Sequence, residues 1–345
     1  METSEFVTLR NSHGLTAHFS PYGARWTGMI VPDQFGALDD VLLGFANPEE
    51  YKSASEPYYG AVVGRVCGRI CKAQFGLNGH IYHLSANENG VNHLHGGIRA
   101  FHNVLWQMRR GTDFNGDEYV MFMYCSQSGE EGYPGNLQVE VCYTLMADDV
   151  LRMVCTAICD EDTVVNLTNH AFFNLCGSKR QEDIFQHELF LNSSHLIECN
   201  EELLPTGRLL PVDDTLLDFR KSMQIGKALH TEMFKIENNR GFSLAYALDA
   251  PDANVRLAAI LSEAKSGRQL AIYTNQPSLQ VYTGYGLDGS DVGKGGFPYE
   301  TGAGLALEPQ GFPDAMNHPY FPRIVLRKGE IYLHVTEYRW NVNRL

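Results

Sequence analysis

Residues 304–319 read Gly-Leu-Ala-Leu-Glu-Pro-Gln-Gly-Phe-Pro-Asp-Ala-Met-Asn-His-Pro. The carboxylate of Glu308 follows a short apolar run and precedes three prolines, Pro309, Pro313 and Pro319. Proline fixes φ, so the chain after Glu308 is expected to form a stiff loop. A partly buried carboxylate backed by a stiff loop suits a general base. A second segment, residues 164–175, places His170 among apolar residues, with Asn169 and Asn174 beside it. Alone it reads as a satisfied core histidine; beside Glu308 it becomes a candidate acid.

Two further clusters carry polar groups in apolar runs. In Gly64-Arg-Val-Cys-Gly-Arg-Ile70, a buried arginine must find acceptors, either a core carboxylate or a ligand. In Asn92-His-Leu-His-Gly-Gly97 the two histidines share a strand face, and the glycines let the backbone approach something closely. No third ligand at metal spacing follows, so no metal is expected, and His93 reads as a hydrogen-bonded strand-end residue. The Cys67/Cys71 and Cys155/Cys159 spacings are poor zinc signals.

The elements that must position these groups read as strands. Leu137, Val139, Val141, Tyr143 and Leu145 alternate with Gln138, Glu140, Cys142 and Thr144, and Val120, Phe122 and Tyr124 behave similarly. Asn78-Gly79 predicts a tight hairpin. Residues 323–340 predict another, turning at Lys328-Gly329-Glu330. Residues 213–230 hold a short helix at most, and the glycine-rich segment 287–296 predicts a mobile surface loop near the site. Many strands without a linker predict one large antiparallel all-β sandwich or barrel spanning 1–345.

Composition narrows the function. The 345 residues are 44% hydrophobic with a formal net charge of −14. That balance argues against nucleic acid and anionic membranes as partners and favours a neutral small molecule. The N-terminal stretch shows no export signal and no apolar run reaches membrane length. The eight cysteines, Cys142, Cys155, Cys159 and Cys176 among them, read as reduced core thiols, so a cytoplasmic location is expected.

Together these pieces resemble the galactose mutarotase (aldose 1-epimerase) family over nearly the whole chain. The likeness is carried by Gly60-Ala-Val-Val-Gly-Arg65, Arg69-Ile70, Leu94-His-Gly-Gly97, Gly129-Glu-Glu-Gly-Tyr-Pro-Gly-Asn-Leu137, Asn166-Leu-Thr-Asn-His170 with Phe173-Asn-Leu175, Pro205-Thr-Gly207, Asp218-Phe-Arg220, Val281-Tyr-Thr-Gly284 and the Glu308 stretch. The resemblance implies a large β-sandwich and interconversion of the α and β anomers of a free monosaccharide, galactose or glucose by default. It implies no cofactor and no metal, and leaves a monomer or a homodimer open. It matches Glu308 to the general base, His170 to the general acid, and His95 and Arg69 to sugar-contacting residues. Three positions depart from the pattern. Gly68 stands where an Asn is usual, Ser243 stands where a sugar-binding Asp is usual, and Tyr285-Gly286 replaces Asn and an aromatic, shifting the ring by one place. These departures predict altered substrate preference with the chemistry retained. A non-catalytic sugar-binding protein and a sugar-phosphate mutarotase, the latter using Arg65, Arg69 or Arg99, remain the alternatives. A hydrolase would need a second carboxylate, for which Asp314 is nearest in sequence.

Overall fold

A computed structural model describes residues 6–231, 240–250 and 254–343; residues 1–5, part of the stretch read for an export signal, lie outside them. The strand Leu137–Leu145 shows how the sequence becomes structure. Its odd-numbered residues are buried, while Gln138 and Glu140 face solvent. This strand sits in a nine-stranded sheet whose order is Gln107–Thr112, Glu118–Ser126, Leu137–Leu145, Val150–Cys159, Ile331–Val342, Arg268–Thr274, Arg256–Ser262, Glu188–Leu191 and Met223–Gln224. All its pairings are antiparallel. The C-terminal strand lies at its middle, so sequence-distant segments are interlocked.

A six-stranded antiparallel sheet contributes the opposing layer. Its order is Phe172–Phe173, Leu305–Gln310, Ser278–Tyr282, Ser243–Ala247, His195–Cys199 and Pro205–Pro211. Side chains alternate across a strand. Leu305, Leu307, Leu279, Val281, Leu244 and Tyr246 therefore join one core with Val139, Val141, Leu270 and Ile272 of the larger sheet. Ala306, Glu308, Gln310, Gln280, Tyr282, Ser243 and Ala245 fall on the other face. A four-stranded sheet (Val7–Arg10, Thr16–Ser20, Arg25–Pro32, Leu38–Asp40) adds Phe19, Trp26 and Met29 to the same core. The architecture is an all-β sandwich.

Several local expectations meet their tests here. Asn78 and Gly79 both have positive φ (52° and 78°) and join the paired strands Gln74–Leu77 and His80–His83. The only α-helix within residues 213–230 is the four-residue Ile225–Ala228. All eight cysteines are free; Cys67, Cys155, Cys159 and Cys176 are buried, whereas Cys142 is half-buried on the outward side of its strand and Cys125 is exposed.

Two expectations fail. Residues 323–340 turn at Gly329 but form no hairpin: Val325–Leu326 pairs with Thr163–Val164, and Ile331–Val342 pairs with Val150–Cys159 and Arg268–Thr274. A turn signal fixes a local bend; a twelve-residue strand burying His334, Thr336, Tyr338 and Trp340 needs long partners on both sides. The glycine-rich segment is also no loose loop. Asp288–Val292 and Pro298–Glu300 form a small hairpin. The Asp291 carboxylate holds it to the chain by accepting from the backbone N–H groups of Ser55 and Glu56 at 2.9 and 3.0 Å.

Candidate active site

Glu308 lies within a strand, whereas the sequence suggested the start of a loop. Phe172–Phe173 pairs only with Leu305 and Ala306, so from Leu307 onward the strand has one neighbour in its sheet. A proline at position 309 is tolerated there because its missing N–H falls on the unpaired side. The strand alternation turns Glu308 away from the sandwich core and places Gln280 directly across from it.

His170 follows the strand Thr168–Asn169, which pairs with Val62–Val63. Its N–H donates to Ala61 O and its carbonyl accepts from Gly60 N, each at 2.9 Å. The Asn169 amide donates to Gly60 O (2.7 Å) and Tyr143 Oη (3.0 Å), fixing the backbone on which the imidazole stands. Asn174 donates to the Glu182 and Ala303 carbonyls and does not take part. Tyr58 stacks on the imidazole with ring centres 5.5 Å apart, and Phe172 lies 4.9 Å away. Tyr58 is held by the buried Arg25 guanidinium, which donates to the carbonyls of Pro57, Tyr59 and His102 at 2.8 Å each.

The two segments bring His170 Nε2 to 3.6 Å from Glu308 Oε1, with side chains only 4% and 2% exposed. That separation is too long for a direct hydrogen bond. Glu308 Oε2 is buried and takes no protein hydrogen bond among the described residues. Burial pushes the Glu308 carboxyl up to about 8, with a smaller push from Glu56. Burial holds His170 down at about 4. Across neutral pH the pair therefore carries a single proton and no net charge.

A cavity of about 180 Å³ extends from this pair and is lined by all six residues singled out in the sequence: Glu308, His170, His95, Arg69, Ser243 and Tyr285. His95 Nδ1 accepts from Gly68 N at 3.2 Å, which leaves Nε2 as the protonated donor nitrogen. Burial, then His170 and Arg69, keep that imidazole neutral. Arg69 meets Glu88 with Nε 3.0 Å from both carboxylate oxygens and Nη2 2.7 Å from Oε1. It is both ion-paired and part of the wall. Ser243 Oγ accepts from Gln280 Nε2 at 3.0 Å, and the Tyr285 ring packs edge-on against Tyr282 at 5.2 Å.

Residues outside the cavity are equally informative. Arg65 is buried and caged by the carbonyls of Ser126, Gln127, Pro134 and Gly135. Arg99 is exposed. No arginine of the trio is left over for a phosphate inside the cavity. His93 hydrogen-bonds Ser85 O (2.8 Å) and Tyr133 Oη (2.7 Å), a structural role. Asp314 accepts from Cys71 N and Asn317 Nδ2 and does not line the cavity, so it is no partner for Glu308.

The sequence reading missed Glu56, Tyr58, Gln280, Tyr282 and Gln310, which also line the cavity. For Gln280 and Tyr282 a signal existed: in Ser-Leu-Gln-Val-Tyr, polar residues and an aromatic alternate with buried Leu279 and Val281. Glu56 and Tyr58 sit in an irregular turn, where no periodicity marks them.

Fold and site together define a β-sandwich protein with a buried acid–base pair in a polar cavity. The aldose 1-epimerase family model matches residues 5–339. Galactose mutarotase of Rattus norvegicus is 41% identical over 331 residues, 96% of this chain and 92% of that protein. Aldose 1-epimerase of Escherichia coli K12 is 34% identical over 339 residues, 97% and 94% of the two chains. The crystal structure of a GalM/aldose epimerase homologue from C. elegans superposes with a TM-score of 0.88 at 29% identity, covering 98% of this chain and 99% of the other. The chain belongs to the aldose 1-epimerase family.

Proposed function

We propose that the protein is an isomerase that interconverts the α and β anomers of a free aldose, galactose or glucose by default, through ring opening at the His170–Glu308 pair. The observation that carries the reading is the 3.6 Å gap between His170 Nε2 and Glu308 Oε1. The C1 hydroxyl oxygen and the ring oxygen of a cyclic aldose are bonded to the same carbon. A base and an acid this close can address both oxygens at once.

In the reactive form the shared proton is on His170. Glu308 takes the proton of the C1 hydroxyl while His170 Nε2 gives its proton to the ring oxygen. The C1–ring oxygen bond breaks, the C1–O bond becomes the aldehyde carbonyl, and rotation about C1–C2 presents the other face. Reclosure reverses both transfers. The substrate hydroxyl supplies the hydrogen bond that Glu308 Oε2 lacks, which favours the ionised carboxylate. His95 Nε2–H, Arg69, Gln280 and Ser243 contact the remaining hydroxyls, and Tyr285 packs beside them. No cofactor or metal is required.

The whole of residues 1–345 acts as one domain in this reading, supported by a single principal core that runs from Val7 to Trp340. The eight free cysteines support a cytoplasmic setting. Among the described residues no helix is long and apolar enough to cross a membrane. A monomer or a homodimer serves equally, because one chain supplies the whole site.

Polarimetry of freshly dissolved α-anomers of galactose, glucose, arabinose, xylose and fucose tests the proposal. Acceleration of at least one above its spontaneous rate is expected. A folded protein that accelerates none would contradict it and return the binding-protein reading to the front.

A further inference from the structure

We propose that Glu56 is a substrate-reading residue that accepts a hydrogen bond from one hydroxyl of the aldose other than that at C1. This rests on the mutarotase reading above and adds a residue to the same site.

Glu56 and Glu308 are the two carboxylates in the cavity wall among the described residues. Glu56 lies in the turn between the short helical segment Pro48–Lys52 and the strand Val62–Val63. Its position is imposed from outside. Its N–H donates to Asp291 Oδ2 at 3.0 Å, and the same carboxylate accepts from Ser55 N at 2.9 Å and Tyr59 Oη at 3.2 Å. Glu56 Oε1 accepts from the N–H of Tyr58 at 3.1 Å, the residue stacked on His170. Oε2 has neither a hydrogen bond nor an ion-pair partner among the described residues.

The nearby cations are committed elsewhere. Arg25 donates to three backbone carbonyls, and Arg69 is held by Glu88. Unlike Glu308 Oε2, Glu56 Oε2 is not shut off from solvent, so water satisfies it until a ligand in the cavity offers a donor in its place. Here the cavity faces that oxygen's residue, and a neutral hydroxylated ligand has donors to offer. Residue 243 adds to the case. Its hydroxyl is engaged by Gln280 and it carries no charge, so Glu56 is the remaining charged acceptor for a hydroxyl away from the reacting carbon. Electrostatics agree: burial, then Asp291, raise Glu56 to about 7 against the pull of Arg25, and Glu56 in turn raises Glu308, Tyr58, Tyr59 and Tyr282.

The test compares wild type with Glu56→Gln, which keeps the shape and the acceptor for Tyr58 N while removing the charge. The kcat/KM for the best aldose and its 2-, 3-, 4- and 6-deoxy analogues is measured by polarimetry, and binding of the same sugars by calorimetry. The expected result is a loss of about 10- to 100-fold for the parent sugar, expressed mainly in KM and affinity, that vanishes for the one analogue lacking the recognised hydroxyl. The alkaline limb of the pH profile also moves to lower pH, because Glu56 no longer raises Glu308. Unchanged values on every sugar would overturn the proposal. So would an equal loss on all sugars with an unmoved alkaline limb, which is what a merely structural turn residue gives. Should Glu56→Gln fail to fold, Glu56→Asp withdraws the oxygen while keeping the charge and is expected to lose the same hydroxyl discrimination; retained discrimination overturns the proposal. A wild type that accelerates no sugar defeats the mutarotase reading, while the calorimetric comparison still decides the role of Glu56.

Discussion

The two sides of the cavity are built differently. His170 and Glu308 stand on backbone locked by strand pairing, and both are almost wholly buried. Of the groups proposed to face the rest of the sugar, Ser243 and Gln280 stand on paired strands of the six-stranded sheet, and the others come from strand ends, turns and loops. His95 follows the two-residue strand His93–Leu94, Arg69 opens the two-residue strand Arg69–Ile70, Tyr285 follows Ser278–Tyr282, and Glu56 lies in a turn. These groups are half-buried. The acid–base pair is almost wholly buried, Glu308 within the six-stranded sheet and His170 beside the pairing of Thr168–Asn169 with Val62–Val63, whereas the half-buried reading groups can change with less effect on the fold. The three departures from the family pattern, Gly68, Ser243 and Tyr285-Gly286, all fall on the reading side.

Breaking the first side has the largest expected effect. Glu308→Gln or His170→Asn removes a general base or acid, for which about 100- to 10,000-fold in kcat is typical. Both variants should fold, as judged by unchanged circular dichroism, and polarimetry should find near-spontaneous rates. Wild-type turnover in either would dissolve the contrast. A smaller effect is expected on the reading side. Ser243→Asp places a carboxylate where Gln280 Nε2 already lies 3.0 Å from the serine oxygen. A charged acceptor for a hydroxyl is worth about 1.5–3 kcal/mol, so KM for a sugar bearing that hydroxyl should fall about 10-fold or more with kcat nearly unchanged. Deoxy analogues lacking it should not benefit.

The smallest effect separates stability from chemistry. Burial holds His102 at about 3 and His170, His187 and His334 at about 4 in the folded protein. The unfolded chain protonates these groups near their ordinary value, so between about pH 6.5 and 4 it binds more protons than the folded one. Their stabilisation is full above 6.5 and is lost as pH falls through the folded values. Glu56 and Glu308, raised to about 7 and about 8, act in the opposite sense as pH rises from their ordinary value. Four histidines outweigh two carboxylates in the acid range, so Tm should rise from pH 4 to 6.5. His170→Asn should flatten that rise only partly, because His187 and His334 lie outside the cavity. A Tm independent of pH there would show that these histidines are not buried neutral.

The same division decides what could be read from the sequence. Period-2 alternation found Leu137–Leu145 because one face of that strand meets the core and the other meets water. Glu308 and His170 were legible because they interrupt apolar runs, where an ionisable side chain needs a reason. On the reading side Arg69 and His95 stood out as polar groups in apolar runs, and family motifs gave them their sugar-contacting role and alone named Ser243 and Tyr285. Glu56 and Tyr58 were not legible, since their positions depend on Asp291 and Arg25, residues far away in sequence. The failed hairpin at residues 323–340 has the same cause: pairing of Ile331–Val342 with Val150–Cys159 and Arg268–Thr274 is decided by long-range burial. Local turn chemistry cannot specify it.

The central claim is that His170 and Glu308 act as one unit holding one proton. The pH dependence of kcat/KM for the best aldose tests it most directly. The pair gains a second proton near about 4 and loses its only one near about 8. The account predicts a profile that rises through about 7 as Glu56 ionises and falls above about 8 as the proton for the ring oxygen is lost. An activity that persists undiminished well above about 8 would contradict it.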